Sequence, residues 1–262
     1  MKRHLFILCL LFQLIVAAWA TPAAAEKPLV FVGDDHFPPY SWEEKGKISG
    51  IDVDIIRELW QRLDIAITIR LAPWKRLIHM TRTGQCDGSF SLFHTRARES
   101  FAHYAFARPI HISRFPLFYR KGSDMKFDTI TDLFGKTIGV NRGFAISDAF
   151  DAAVESGKIL VNIENNVDKN IFLTANGRID GFTNNFDVTL YKLKHLPRMQ
   201  ALKDLIVHSE KSISELRNAY LVLSRQSRNI PDKPLMIERI NKALEQMAAD
   251  GVFLKINQKY LN

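Results

Sequence analysis

PWKRLIHMTRTGQCDGSFSLFHTRARE, residues 73–99, is the stretch from which the fold is read. It opens on an aromatic-basic cluster, Trp74-Lys75-Arg76, where a strand hands over to a helix, and that helix stops at Gly84. A short apolar strand over 86–93 follows, and a turn at Thr95 leads into a piece carrying Arg98. A guanidinium just past the carboxyl end of a strand is well sited to clamp a small carboxylate, because its planar fork matches the two oxygens. A lone Arg in a turn is more often simply solvated, so the role of Arg98 depends on what surrounds it.

Working backwards, residues 29–32 form a compact apolar strand ending in Gly33-Asp34-Asp35-His36-Phe37-Pro38-Pro39-Tyr40-Ser41-Trp42. The paired prolines there predict an irregular loop. Its aromatics, Phe37, Tyr40 and Trp42, either wall a pocket or cover the core. Val53, Ile56, Trp60 and Leu63 recur at helical spacing and predict an amphipathic helix over 52–63. Ile65, Ile67, Ile69 and Leu71 alternate as a strand does. Strand, helix, strand, helix, strand describes an α/β layer with parallel strands, whose ligand crevice lies beyond the strands' carboxyl ends. The 34–42 loop, Trp74–Arg76 and the 95–98 turn all fall at those ends. That convergence moves Arg98 from solvated turn to ligand contact.

Working forwards, 101–108 reads as aromatic and irregular, and 110–119 as extended, with Pro116 arguing for an edge strand. A second α/β unit follows: strands at 137–140, 159–163 and 179–183, a helix opened by Gly143 and running to 153, one over 168–176, and one from Asn184-Asn185 through 194. Gly84-Gln85-Cys86-Asp87-Gly88 and Gly177-Arg178-Ile179-Asp180-Gly181 share Gly-x-x-Asp-Gly at the same place in the two units, which points to two lobes built alike. A strand at 219–224, a helix from Pro234 and a last helix over 251–261 complete the chain. Without a Pro/Gly/Ser-rich linker, the lobes are expected to be joined by two short extended crossings, near 109–116 and 215–220.

Composition fits this picture. The 262 residues are 47% hydrophobic and 24% charged, as in ordinary globular proteins. Residues 1–25 read as a cleaved export signal: Lys2, Arg3 and His4, an apolar run over 5–16, then Ala18-Trp19-Ala20 and Ala23-Ala24-Ala25. Cys9 lies inside the apolar run, away from a lipid-anchoring position. The remaining cysteine, Cys86, has no partner for an internal disulfide and is expected to be buried and inert. The formal charge of +8 becomes +6 without Lys2 and Arg3, from 34 basic and 28 acidic residues. With no basic run, that excess argues against nucleic acid and for anionic ligands or a membrane surface. No phosphate-cradling glycine loop, nucleophile elbow or metal-ligand histidine spacing occurs. The sequence therefore calls for no cofactor, metal or catalytic residue. His36 beside Asp34 and Asp35 is the one histidine grouping, read as a hydrogen-bonded loop over a metal site; His94, next to the Arg98 turn, could serve as an acid or base, though most single histidines do not.

Five segments carry a resemblance: Phe37-Pro38-Pro39-Tyr40-Ser41, Gly50-Ile51-Asp52-Val53-Asp54-Ile55, Pro73-Trp74, Gly84-x-x-Asp87 and Thr95-x-x-Arg98. Ile240-Asn241-Lys242-Ala243-Leu244 and Asp250-Gly251 extend it to the end of the chain. The chain resembles the periplasmic solute-binding proteins of polar amino-acid ABC importers, family 3 type, and its Pro73-Trp74-Lys75-Arg76 is similar to a stand-alone branch of them. The resemblance implies an α/β fold of two lobes joined by a two-strand hinge, periplasmic-binding-protein-like, type II, with the ligand cleft between lobes. The lobes would be 26–110 with 220–262, and 111–219. It further implies that Arg98 binds a carboxylate, Trp74 and Phe37 pack on the ligand, Asp34 lines the cleft and Ser91 sits on the strand leading to Arg98. Tyr40 joins them as a pocket-wall candidate.

The second lobe departs from that family. Asn185 stands where members binding α-amino acids usually carry an acid to pair with the amine, and an amide cannot neutralise an ammonium. Either Asp34, Asp35 or Asp187 takes that part, or the ligand is not an ordinary α-amino acid. A second cleft-facing cation at Arg76 would favour a ligand with extra negative charge. The expected function is therefore capture of a small carboxylate-bearing solute by an exported, periplasmic monomer, for ABC import through a permease or for signalling through a membrane sensor. The alternatives are a periplasmic enzyme on the same fold, cyclohexadienyl-dehydratase-like, and an orphan sensor or scavenger.

Overall fold

The computed structural model describes residues 27–144 and 146–261; the expected export signal lies outside them. The chain opens with strand β1 (Leu29–Asp34) and a small antiparallel sheet of β2 (His36–Phe37), β3 (Ser41–Glu44) and β4 (Lys47–Ser49). Then come helix α1 (Ile51–Arg62), β5 (Ile67–Ala72), α2 (Trp74–Thr83), β6 (Gly88–Phe93), α3 (Arg96–Glu99), β7 (Ala102–Tyr104) and β8 (His111–Ser113). The second unit comprises β9 (Pro116–Arg120), β10 (Thr137–Asn141), α4 (Asp148–Glu155), β11 (Leu160–Glu164), α5 (Val167–Ala175), β12 (Gly181–Thr183), α6 (Phe186–His195), α7 (Pro197–Gln200) and β13 (Ile206–Ser212). Strand β14 (Arg217–Ser224) and helices α8 (Lys233–Ala249) and α9 (Val252–Leu261) end the described chain.

Two mixed sheets share one plan. The first runs β5-β1-β6-β14-β7, with β8 also on β14; the second runs β11-β10-β12-β9-β13. In each, the central first strand pairs in parallel with both its neighbours (β1 with β5 and β6, β10 with β11 and β12), and the next strand along, β14 or β9, is antiparallel. The repeated Gly-x-x-Asp-Gly has the same structural job in both. Asp87 Oδ2 accepts the Val30 backbone N–H at 2.8 Å, and Asp180 Oδ2 accepts that of Thr137 at 2.8 Å. Each carboxylate thus pins the loop entering one strand to the start of the central strand. Gly84 ends α2 at φ 72°, and a Cβ there would stand 2.6 Å from the Gln226 carbonyl oxygen, so no other residue fits.

Burial follows the apolar pattern. Helix α1 buries Ile51, Val53, Ile55, Ile56, Leu59 and Trp60, and the Trp60 ring lies 4.7 Å from that of Phe31 on β1. Each such side chain contributes about 1.5–3 kcal/mol on burial. Cys86 is buried, and burial pushes its thiol up to about 11, which keeps it protonated and inert.

The chain crosses between the sheets twice, from β8 to β9 and from β13 to β14. The crossings are tied together where the Ile213 N–H donates to the Phe115 carbonyl at 2.8 Å. Four local expectations give way. The proline-rich loop after β1 carries the β2–β3 hairpin, with Tyr40 N–H donating to Phe37 O at 2.8 Å across its turn. Residues 102–104 form β7 rather than irregular chain, because β14 offers an open edge to pair with. Strand β9, with Pro116, is internal, between β12 and β13; the proline is tolerated as the strand's first residue, beside a register irregularity in β13. Helix α4 starts at Asp148, capped by Ser147, whose Oγ accepts the Phe150 N–H, and not at Gly143, which sits at φ 79°.

Candidate functional site

The carboxyl ends of β1, β6, β10 and the start of α2 meet around two adjoining cavities between the sheets. The inner one is lined by Asp34, Phe37, Trp74, Ser91, Phe93 and Arg98 from the first unit and by Phe144 from the loop after β10. Its volume of about 20 Å³ is close to that of one water site. The outer cavity, about 380 Å³, shares Asp34, Phe37, Trp74 and Phe144 with it and extends to Asp35, Lys75, Asn141, Arg142 and Asn184. That size suits a small solute. Trp74 and Phe144 face one another edge to face across the cleft, 6.1 Å between centroids.

Arg98 is held rather than floppy. Its Nη1 donates to the Phe93 carbonyl at 2.7 Å, its guanidinium lies 5.3 Å from the centre of the Trp74 ring, and Tyr104 Oη donates to the same carbonyl at 3.1 Å. Burial lowers its pKa from the ordinary value, yet among the described residues no carboxylate forms an ion pair with it. A desolvated guanidinium with donors to spare is a ready partner for an anion. Asp34, 8% exposed, accepts the His36 N–H at 3.0 Å, and burial raises its carboxyl to about 6. Desolvation outweighs that hydrogen bond and the attraction of Lys192.

Ser91 sits on β6 at φ 68°, where β6 and β14 slip register, a strained conformation for a non-glycine residue. Its Oγ donates to Asp52 Oδ2 at 2.5 Å, and His111 Nδ1 lies 2.8 Å from the same oxygen. Asp52 in turn lies in the first turn of α1, where the helix dipole favours an anion. This buried cluster backs the cleft.

Five of the eight residues singled out in the sequence, Arg98, Trp74, Phe37, Asp34 and Ser91, thus line one cavity. Three do not. Tyr40 is buried behind Phe37, stacked on His111 at 3.9 Å, and its Oη donates to Asp187 Oδ2 at 2.8 Å. Asn185 is fully buried as the N-cap of α6: its Oδ1 accepts the Val188 N–H at 3.0 Å and its Nδ2 donates to Ser113 Oγ at 2.6 Å. Arg76 is exposed, one residue round α2 from the Lys75 that does line the outer cavity. His94 lies outside both cavities, bonded to Glu99 at 2.6 Å.

Sequence reasoning did not single out Phe144, Asn141, Arg142 or Asn184 as lining residues. Asn141 ends β10, and Asn184 follows β12. The rule that placed the site at strand ends in the first unit would have found them if applied to the second.

Comparison with known proteins agrees with this architecture. A putative amino-acid ABC transporter-binding protein, PatH of Vibrio harveyi, is 28% identical over 248 residues, covering 94% of this chain and 93% of that protein. The probable amino-acid-binding protein YxeM of Bacillus subtilis is 24% identical over 228 residues, 86% of this chain and 80% of its own length. Among solved structures, an ancestral arginine-binding protein bound to arginine superposes with a TM-score of 0.75 at 21% identity, covering 90% of this chain and 98% of that one. The model of the bacterial extracellular solute-binding proteins, family 3, matches residues 29–262, and the chain belongs to that family.

Proposed function

We propose that the protein captures a small carboxylate-bearing solute, an amino acid or related anion, between two closing lobes, and presents the closed form to an ABC permease or a membrane sensor. The observation that carries this reading is Arg98: a largely desolvated guanidinium without a carboxylate partner, in a cavity walled by Trp74 and Phe37 from one sheet and Phe144 from the other. The proposed lobes are 26–110 with 220–262, and 111–219, with β8 and β14 reaching across the boundary as the hinge. A solute that touches both lobes stabilises the closed arrangement over the open one, and only that difference in affinity shifts the population. PatH and YxeM, named as amino-acid-binding proteins, support the solute class. Export through a cleaved leader, a periplasmic location and a monomeric state complete the reading.

The test is a thermal-shift screen of amino acids and small carboxylates, followed by calorimetry of the best binder. Arg98→Ala is expected to weaken it by about 2–4 kcal/mol, the cost of removing one partner of a buried charge pair. Unchanged affinity removes Arg98 from the site. A second reading, an enzyme acting on a carboxylate, rests on Asp34, a carboxyl that keeps its proton up to about pH 6 beside the same cavity. Mass spectrometry of solutes after incubation separates the two: recovery unchanged supports a binder, and a dehydrated product supports the enzyme.

A further inference from the structure

The exposed face of helix α2 carries no acid. Lys75, Arg76, His79 and Arg82 are all exposed on it, while Leu77, Met80 and Thr81 face the core. Spacings of three, four and seven residues put these side chains in one stripe. Like charges so placed destabilise a helix, and Lys75 and Arg76, in its first turn, also oppose its dipole. Helix α1 shows the ordinary arrangement, Arg57 pairing with Asp54 and Arg62 with Glu58 on its surface. The loop after β14 extends the stripe and exposes Arg225 and Arg228. It is tied to the end of α2, where Ser224 Oγ donates to the Thr81 carbonyl at 2.6 Å and the Gln226 carbonyl lies against Gly84. Arg82 and Arg225 meet around Phe101: the Arg82 guanidinium lies 4.9 Å from the ring centre, and the Arg225 N–H donates to the Phe101 carbonyl at 2.9 Å. Among the described residues no carboxylate forms an ion pair with Lys75, Arg76, Arg82, Arg225 or Arg228. Glu99, whose backbone carbonyl accepts the Arg225 Nε–H at 2.7 Å, spends its carboxylate on His94 at 2.6 Å.

Phe106 stands at the rim of this face. It is 51% exposed, stacks on Tyr104 at 5.2 Å, and shares a surface depression of about 250 Å³ with Arg225. Tyr104 belongs to the same apolar cluster as Leu77 and Met80 of α2, which puts the Phe106 ring on the same side of the sheet. Steering of an anionic solute accounts for Lys75, which borders the outer cavity. It does not account for Arg82, about 10 Å further along α2, or for Arg225 and Arg228 beyond it.

We infer that α2 and the 225–228 loop form a docking surface for an anionic lipid bilayer. Lipid phosphates meet the cations that no carboxylate neutralises, and Phe106 enters the interfacial region, where aromatic rings are favoured. An acidic polypeptide is served less well, because the stripe offers no aromatic anchor at its centre. The surface is separate from the cleft: Arg76, Arg82, Arg225, Arg228 and Phe106 line neither of its cavities.

The experiment is vesicle flotation of the protein freed of residues 1–25, whose own apolar run would bind lipid. One vesicle is equal parts phosphatidylglycerol and phosphatidylcholine, the other phosphatidylcholine alone, in about 0.1 M salt, where charges more than about 10 Å apart are screened. A cation near an anionic surface is worth about fivefold in partitioning. The triple variant Arg76→Gln, Arg82→Gln, Arg228→Gln is therefore expected to bind the anionic vesicles about 100-fold more weakly than the wild type, and Phe106→Ser about fivefold more weakly. A control changing Lys45, Lys121 and Lys255, exposed lysines elsewhere, to Gln removes the same net charge and should stay within about threefold. The wild type alone carries a second arm: its flotation should fall steeply as salt rises to about 0.5 M. Equal losses in the two triple variants, flotation indifferent to salt, wild-type binding as tight to phosphatidylcholine alone, or no flotation at all would each overturn the surface. Tighter binding to polyglutamate than to the anionic vesicles would overturn it in favour of an acidic polypeptide.

Discussion

Asp34→Asn should make the solute-free protein more stable at neutral pH and leave it no more stable at pH 4. The Asp34 carboxyl titrates at about 6 in the fold against 3.8 in an unperturbed chain, a difference of about 2 pH units. At 1.36 kcal/mol per unit, the fold gives up about 3 kcal/mol to keep this group ionised above pH 6. The sign follows from proton counting. Between about pH 4 and 6 the native state holds the proton that the unfolded chain has released, so stability falls as pH rises through that window. The favourable contribution is complete below 3.8 and lost above about 6. Asparagine has no charge to desolvate and its oxygen can still accept the His36 N–H. Its buried amide nitrogen costs about 1–2 kcal/mol if it finds no acceptor. The net gain at pH 7.5 is then about 1–2 kcal/mol, or a few degrees in a chain of this length. Urea unfolding of both proteins at pH 4, 5, 6, 7 and 8 measures it. A variant that is less stable than the wild type at every pH by the same amount would refute the burial argument for Asp34.

Three further outcomes are expected. Arg98→Lys keeps the charge but loses the fork, so solute affinity should fall by about tenfold in calorimetry, less than with alanine; an affinity equal to the wild type's would mean that only charge matters. Asp52→Ala strands His111 in a buried site and should cost about 3–5 kcal/mol in chemical denaturation; a loss below about 1 kcal/mol would show the pair to be dispensable. Asn185→Ala removes the N-cap of α6 and the bond to Ser113, for about 1–2 kcal/mol of stability; thermal unfolding at the wild-type temperature would contradict that capping role.

The first unit was legible because its strands and helices alternate cleanly and its site residues come in three local clusters, at 34–37, 74 and 91–98. Helical spacing put Trp60 in the core, and it is fully buried there. The glycine-aspartate repeat exposed the second unit, although its purpose, pinning strand starts through Asp87 and Asp180, is visible only once the sheets are assembled. Asn185 misled because an N-cap and a ligand contact use the same amide at the same strand-to-helix turn; which atoms it bonds is decided by Ser113, distant in sequence. Arg76 misled because neighbouring helical positions differ by about 100° in direction, and the cleft takes Lys75 instead. Pro116 signalled a sheet edge, but its position as first residue of β9 lets the strand stay internal. Asn141 and Phe144 stand at and just beyond the end of β10, where the strand-end rule would have found them, but that they face Trp74 across the cleft comes from the other sheet, which no window along the chain contains.

A crystal structure with the best-bound amino acid tests the central claim most directly. The account predicts the solute's carboxylate oxygens within hydrogen-bond distance of the Arg98 guanidinium and its body between Trp74 and Phe144. A carboxylate seated away from Arg98, or a solute resting on one lobe without touching the other, would contradict it.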